Sequence, residues 1–338
     1  MTVADASSPG SNGPTAAGTA PGGACPMCTS TATGPWKPGL PKVLCCAVCG
    51  GAWLAEPPAR RDLTALYQED YYAKGSGQRF LVLFDRALVA LKTLRYRDIR
   101  SKVAGTGALL DIGCGRGELL EVFQRHGWSV LGTQLSATAA AAARGRGVEV
   151  RLGDLPELAL DPARFQVITL FHVLEHLPEP ERHLRCVAGL LAEDGLLVVE
   201  VPNFRTLGFR ILGRRNLCFD HPHHLHFFSP RALQELLSRC GFRCGSRRFF
   251  SFEYSPFTTL QNLLNLLPGE PNLLYRSLMR AQGSRALRRR PAAWLQFGLA
   301  AILALPALLF ASCGLVLATG NTLRIYCRKE PLGMDAPP

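Results

Sequence analysis

The chain reads as a doubly wound α/β protein, and three observations predict it. Short apolar runs alternate with helical stretches from residue 109 to residue 201. The run Leu109-Leu-Asp-Ile-Gly-Cys-Gly-Arg-Gly117 turns a strand into a helix through glycines, where a ligand can lie against bare backbone. Each further motif falls at the end of an apolar run, and in an open parallel sheet those strand ends form the ligand crevice.

Residues 1–24 contain no Lys or Arg and are rich in small residues and Pro, so they predict a disordered tail. They lack the charged start and apolar block of a secretory signal and the arginines of a transit peptide, which gives a cytoplasmic expectation. Cys25-x2-Cys28 and Cys46-x2-Cys49 stand 17 residues apart, the spacing of a four-thiolate zinc ribbon over residues 25–57. Cys45 competes with Cys46, which is preferred because it repeats the two-residue gap. Residues 25–57 carry only Lys37 and Lys42 as cations, too few for a phosphate footprint, so no nucleic-acid partner is expected despite a formal net charge of +12. Residues 58–105 predict a helical linker or lid, with Tyr67, Tyr71 and Tyr72 ahead of an amphipathic helix from about Phe80 to Val103.

The core is placed at residues 106–255. After Asp111 and the glycines, a helix over 118–126 presents Leu119, Leu120, Val122 and Phe123 on one side and stops at Gly127. Residues 128–134 form the second strand, and Ser136 caps an alanine-rich helix. The third strand, 148–152, ends in Gly153-Asp154-Leu155. The fourth, 167–171, is followed by His172-Val-Leu-Glu-His-Leu-Pro178, and the fifth, 196–201, by Pro202-Asn203. Ser229 then caps a helix with Pro230 at its first position.

The order Asp111-x-Gly-x-Gly, Gly153-Asp-Leu, His172-Val-Leu-Glu-His and Val201-Pro-Asn resembles the ubiquinone-biosynthesis-like branch of class I S-adenosylmethionine-dependent methyltransferases, over roughly residues 65–255. The resemblance implies a Rossmann-like, mostly parallel seven-stranded sheet closed by an antiparallel hairpin, here residues 242–252 and 322–328. It also implies that Asp111, Gly113 and Gly115 hold the methionine part of S-adenosylmethionine. Asp154 and Leu155 would meet the adenine, while Phe171 and His172 would flank the cofactor beside the substrate. Gln134 stands where the family has an acid for the ribose hydroxyls, and an amide lacks that charge assistance.

The family's His-Leu-x-x-Phe-Ser element near the substrate is matched by His224-Leu-His-Phe-Phe-Ser229. His224 and His226 are the general-base candidates, against the alternative that these histidines only satisfy loop hydrogen bonds. Metal binding by the histidine cluster is the weaker idea, since Asp220 is its sole neighbouring carboxylate. Glu175-His176 resembles a pair that lies by the acceptor in quinone O-methyltransferases, sometimes with a divalent ion, and that anchors a helix start in other relatives. No catalytic role is assigned to it.

Residues 256–319 read as an insert between the two hairpin strands, with residues 320–330 as the last strand and 331–338 as a tail. Residues 292–319 are uncharged, and Pro306 divides them into limbs of 14 and 13 residues. Each limb is about 20 Å long as a helix, short of a ~30 Å hydrocarbon core. The expectation is an apolar helical hairpin held in one leaflet, flanked by Arg276, Arg280, Arg285, Arg288-Arg-Arg290, Arg324, Arg328 and Lys329. The alternative is a buried helical pair. The functional expectation is O-methylation of a membrane-associated acceptor, lipid-linked glycan or quinone-like, by a monotopic enzyme on the inner face of the membrane. Two alternatives stay open. One is a soluble C- or O-methyltransferase of nucleotide-linked sugars, because a ribbon joined to such a domain also resembles deoxysugar C-methyltransferases. The other is an inactive zinc-ribbon adaptor, with Gln134 as its clue.

Overall fold

A computed structural model describes residues 23–37, 42–58, 82–279, 284–317 and 319–330, with the side chains of 82–89 and 315–317 outside that description. The tail at 1–22, the three linker tyrosines and residues 331–338 lie outside the described residues.

Three short antiparallel strands form the ribbon: β1 (Thr33–Pro35), β2 (Val43–Cys46) and β3 (Ala52–Leu54). Helix α1 (Val82–Arg100) then leads to β4 (Ala108–Ile112). There follow α2 (Glu118–Arg125), β5 (Ser129–Gln134), α3 (Ala137–Arg144), β6 (Glu149–Leu152) and β7 (Phe165–Phe171). Next come α4 (Pro180–Leu190), β8 (Leu191–Pro202), α5 (Leu207–Leu212), β9 (His226–Phe227), α6 (Pro230–Arg239) and β10 (Phe242–Arg248). The last stretch holds α7 (Ser255–Leu264), α8 (Leu273–Leu278), α9 (Ser284–Arg288), α10 (Pro291–Leu317) and β11 (Thr322–Lys329).

The main sheet has the order β10-β11-β8-β7-β4-β5-β6, and β11 alone runs against the direction of the other six strands. β4 neighbours both β5 and β7, so the order reverses there, and the glycine loop opens at that switch point. Leu109, Leu110, Val167, Ile168, Leu170 and Leu197 are fully buried, because a parallel sheet covered by helices on both faces reads as continuous apolar strands. Local signals set the helix starts. The hydroxyls of Ser136 and Ser229 accept hydrogen bonds from the amides of Ala139 and Ala232, at 3.3 and 2.9 Å.

The second sheet joins the ribbon to the body. β3 pairs with β9, setting Trp53 opposite His226 and Ala52 opposite Phe227. Trp36 packs against Phe204 and stacks on Phe219, with ring centroids 5.0 and 5.8 Å away, so the ribbon shares an aromatic core with the segment that carries the histidines.

The apolar insert departs from the sequence expectation. No hairpin forms at Pro306: residues 291–317 make one helix, α10, with Pro306 inside it. A proline removes one hydrogen bond and strains one turn, which flanking apolar helical residues on both sides can tolerate. The chain still returns, because α7 and α8 form the outgoing limb and both pack on α10. The leucines of residues 256–275 mark this limb in the sequence as an apolar approach, but the face it buries is mostly polar: Thr258, Thr259, Gln261, Asn262 and Asn265 are all buried. Nor is α10 a core helix. It is buried mainly through small residues such as Ala293, Ala307 and Ala311, while Ile302 and Leu305 are 72% and 64% exposed. The first hairpin strand also ends earlier than expected, at Arg248 rather than residue 252.

Candidate active site

The glycine loop is shaped by backbone sterics. Gly113 has φ of +66°, and a Cβ there would lie 2.5 Å from Val173 Cγ2. Gly117 has φ of +75°, and a Cβ there would meet Val148 Cγ2 at 2.8 Å. Asp111, at the mouth of this loop, is buried, and its Oδ1 accepts a hydrogen bond from the Thr169 hydroxyl at 2.6 Å. Burial pushes its carboxyl up to about 6, against the Thr169 bond and the charges of Lys92 and Arg95.

Gln134 ends β5 as expected, but its side chain is turned inward. Oε1 accepts from the amides of Leu135 and Ser136 at 2.7 and 3.3 Å, which leaves its NH2 as the group able to reach a hydroxyl. Asp154 lies past β6, and its Oδ1 is 2.7 Å from Nε2 of His183, whose Nδ1 lies 2.9 Å from the Glu179 carbonyl. His183 is buried on α4 and had no motif to mark it; tertiary packing alone brings it under Asp154. Leu155 is buried in the main core.

Phe171 and His172 close the far side. The Arg95 guanidinium covers the Phe171 ring at 3.7 Å from its centroid. His172 adopts φ of +56° and packs against Tyr254, with ring centroids 4.0 Å apart. Its Nδ1 is 3.4 Å from Glu175 Oε1 and its Nε2 is 3.2 Å from Glu200 Oε1. Burial disfavours the cation, yet these two carboxylates raise the imidazole to about 9. Glu200, fully buried at the end of β8, anchors a network that sequence reasoning missed. It receives Arg95 Nη2 at 3.0 Å and Arg324 Nε at 2.6 Å. Burial opposes its ionisation, but Arg324 and Arg95 hold it well below the ordinary carboxylate range. Arg95 also meets Glu253 at 2.9 Å, and Arg324 meets Asp98 at 2.8 Å, so α1 is clamped onto the sheet by buried charge.

The histidine loop gains a carboxylate that sequence spacing hid. Ligand atoms of Glu175, His176 and His224 lie within 4.8 Å of one another. His224 Nδ1 is 2.9 Å from the Cys218 carbonyl, so in the neutral ring the lone pair is on Nε2, 4.0 Å from Glu175 Oε1. His176 Nδ1 is similarly held, 2.9 Å from the His223 carbonyl, and burial with His224 nearby lowers its ring to about 4. Both Glu175 oxygens are buried and have no hydrogen-bond partner among the described residues. This donor set, one carboxylate and two imidazoles oriented through Nδ1, suits either a base backed by an anion or a divalent cation. Asp220, the carboxylate visible in the sequence, lies 3.2 Å from His223 instead. His226 is placed elsewhere, on β9 against the ribbon, where burial lowers it to about 4.

At the ribbon, Cys25 and Cys49 Sγ are 3.6 Å apart, as are Cys28 and Cys46, and all four ligand atoms lie within 4.8 Å of one another. Four thiolates at ~2.3 Å from one tetrahedral zinc would stand about 3.8 Å apart, so the residues fit that ion. The Cys49 thiol lowers Cys25 to about 5 by hydrogen bonding to its thiolate, whereas Cys49 itself is raised by the same contact and Cys28 by burial. Cys45 faces away from the cluster, with its thiol directed at the Cys46 carbonyl, 3.8 Å away.

Comparison with known proteins points to methyltransferases. A family model described as a methyltransferase domain matches residues 84–246, a range that excludes both ribbon and insert. The ubiquinone biosynthesis O-methyltransferase of Coxiella burnetii is 28% identical over 171 residues, covering 47% of this chain and 73% of the relative. Its counterpart in Marinobacter nauticus is 29% identical over 185 residues, covering 50% and 76%. Among solved structures, an S-adenosylmethionine-dependent methyltransferase from Archaeoglobus fulgidus covers 71% of this chain and 94% of its own at 21% identity, with a TM-score of 0.47.

Proposed function

The chain belongs to the class I S-adenosylmethionine-dependent methyltransferases, and from that premise we propose that it methylates a hydroxyl of a membrane-associated acceptor, lipid-linked glycan or quinone-like. The observation that carries this reading is the convergence of three things at one end of the sheet: the Asp111 loop, the His224 imidazole and the apolar insert. S-adenosylmethionine, when bound, supplies a methyl already activated on a sulfonium. Asp111, Gly113 and Gly115 would hold its methionine part, Gln134 its ribose, Asp154 and Leu155 its adenine, and Phe171 and His172 its reactive side.

The chain's own task is then alignment and proton removal. His224 Nε2 accepts the hydroxyl proton, and the Glu175 carboxylate 4.0 Å away stabilises the resulting imidazolium. His226, the second candidate, lies in β9 against the ribbon, apart from Glu175, His176 and His224, so the base role falls to His224. A zinc ion on Cys25, Cys28, Cys46 and Cys49 would fix the ribbon, and through the pairing of β3 with β9 it would hold the histidine loop in place.

Calorimetric titration with S-adenosylmethionine tests the cofactor half. Saturable binding that is lost in Asp111→Ala supports it, while no binding by a folded protein would favour the adaptor alternative. Radiolabelled methyl transfer to membrane lipid extracts, compared with nucleotide-linked sugars, tests the acceptor half. Incorporation only into the soluble sugars refutes a membrane-associated acceptor.

A further inference from the structure

The insert leaves and rejoins the sheet at the catalytic edge. β11 runs antiparallel to β8 with Thr322 opposite Pro202, and β10 runs antiparallel to β11 with Arg248 opposite Arg324. The end of β10 and the start of β11 therefore both lie at the C-terminal end of β8, beside the glycine loop and His172. The insert then stays on that edge. Tyr254, just before α7, packs on His172. Asn262 on α7 accepts from the Leu217 amide at 2.8 Å, and the Arg215 guanidinium donates to the carbonyls of Asn265, Leu267 and Gly269 at 3.0, 2.7 and 3.0 Å. Residues 215–217 run directly into the histidine loop.

Exposed apolar surface and positive charge gather on the same segment. Twelve of the fifteen large apolar side chains exposed among the described residues fall between Leu207 and Phe310. They include Leu207 and Ile211 of α5, which lies between the end of β8 and the histidine loop, as well as the face of α10. Residues 204–321 carry fifteen arginines against four acids, so nearly the whole formal charge of +12 belongs to this segment. Arg285 and Arg288-Arg-Arg290 stand directly ahead of α10, so cations lead into its apolar face, an arrangement that complements an anionic lipid surface, where each basic side chain adds attraction.

We propose that α10 and α5 lie together on an anionic bilayer, so that the catalytic edge faces the membrane and the acceptor hydroxyl enters from the lipid–water interface. This inference rests on the membrane-associated acceptor proposed above and adds the orientation. It accounts for the small-residue face by which α10 docks on the body: a helix held flat presents its whole apolar side to lipid, whereas a crossing helix would have to leave α7. The opposite edge of the sheet, where α2 ends, faces the cytoplasm.

The test uses the full-length protein with vesicles of brominated phosphatidylglycerol and, separately, brominated phosphatidylcholine. In a Trp294→Phe background, Ile211→Trp reports the catalytic edge and Arg125→Trp, at the end of α2, reports the opposite edge. Calorimetric binding of S-adenosylmethionine confirms that each variant is folded. Expected are lipid quenching of the residue-211 reporter, none at 125, and co-sedimentation with the phosphatidylglycerol vesicles that Leu305→Glu reduces about tenfold or more. Co-sedimentation with quenching of native Trp294 but not of the residue-211 reporter overturns the orientation and leaves the membrane reading standing. Equal binding to phosphatidylcholine overturns the role of charge. No binding to either vesicle overturns both the orientation and the membrane-associated acceptor.

Discussion

Glu200→Gln probes the buried charge that clamps α1 to the sheet. The carboxylate is fully buried, and within 3.2 Å it meets Arg95, Arg324 and the His172 imidazole. The amide keeps the shape but leaves three cations facing a neutral group. Removing one partner of a buried ion pair typically costs about 3–5 kcal/mol, a large share of the roughly 5–15 kcal/mol that stabilises a folded protein. His172 gives the change a pH signature. Its folded value of about 9 lies above the ordinary 6.5, so its stabilisation is fully present below 6.5 and is lost as pH rises through 9. The full shift corresponds to roughly 3 kcal/mol, of which Glu200 supplies a part and Glu175 the rest. Urea unfolding followed by circular dichroism, at about pH 6 and about pH 10, should therefore show a wild-type-to-variant gap that narrows at the higher pH. A gap independent of pH would refute the pairing of His172 with Glu200. A variant as stable as wild type would refute the claim that the network holds α1 in place.

Three further outcomes follow from the same geometry. Because the Asp111 carboxyl is raised to about 6, S-adenosylmethionine affinity should fall as pH drops through that value, approaching about tenfold per unit below it, and calorimetry on Asp111→Asn should show weak, pH-independent binding. Gly113→Ala forces a side chain onto a left-handed backbone and into Val173, so it should lower stability by about 1–3 kcal/mol in thermal unfolding and abolish cofactor binding. Cys46→Ser should release one zinc per chain by elemental analysis and speed hydrogen exchange at the Leu54 and Phe227 amides, whereas the amides of β4 should keep their protection.

Chain-local signals settled much of this protein in advance. Apolar runs separated by capped helices fix a parallel sheet, because strands buried on both faces must read as continuous Leu, Ile and Val. Asp111 with Gly113 and Gly117 was legible because backbone sterics alone demand glycine in that turn. The paired cysteines were legible because two short turns suffice to bring four thiols together. Tertiary structure decided whatever depends on partners distant in the chain. The carboxylate beside His224 is Glu175, 49 residues away, and no local pattern points to it. Glu200 reads as one polar residue in an apolar strand until Arg95 and Arg324 arrive from α1 and β11 to neutralise it. The ribbon reads as a separate module, yet β9 completes its sheet. The insert turns elsewhere than at Pro306, because its outgoing limb buries amides and hydroxyls, and only a folded neighbour supplies the hydrogen bonds that make such a face stable.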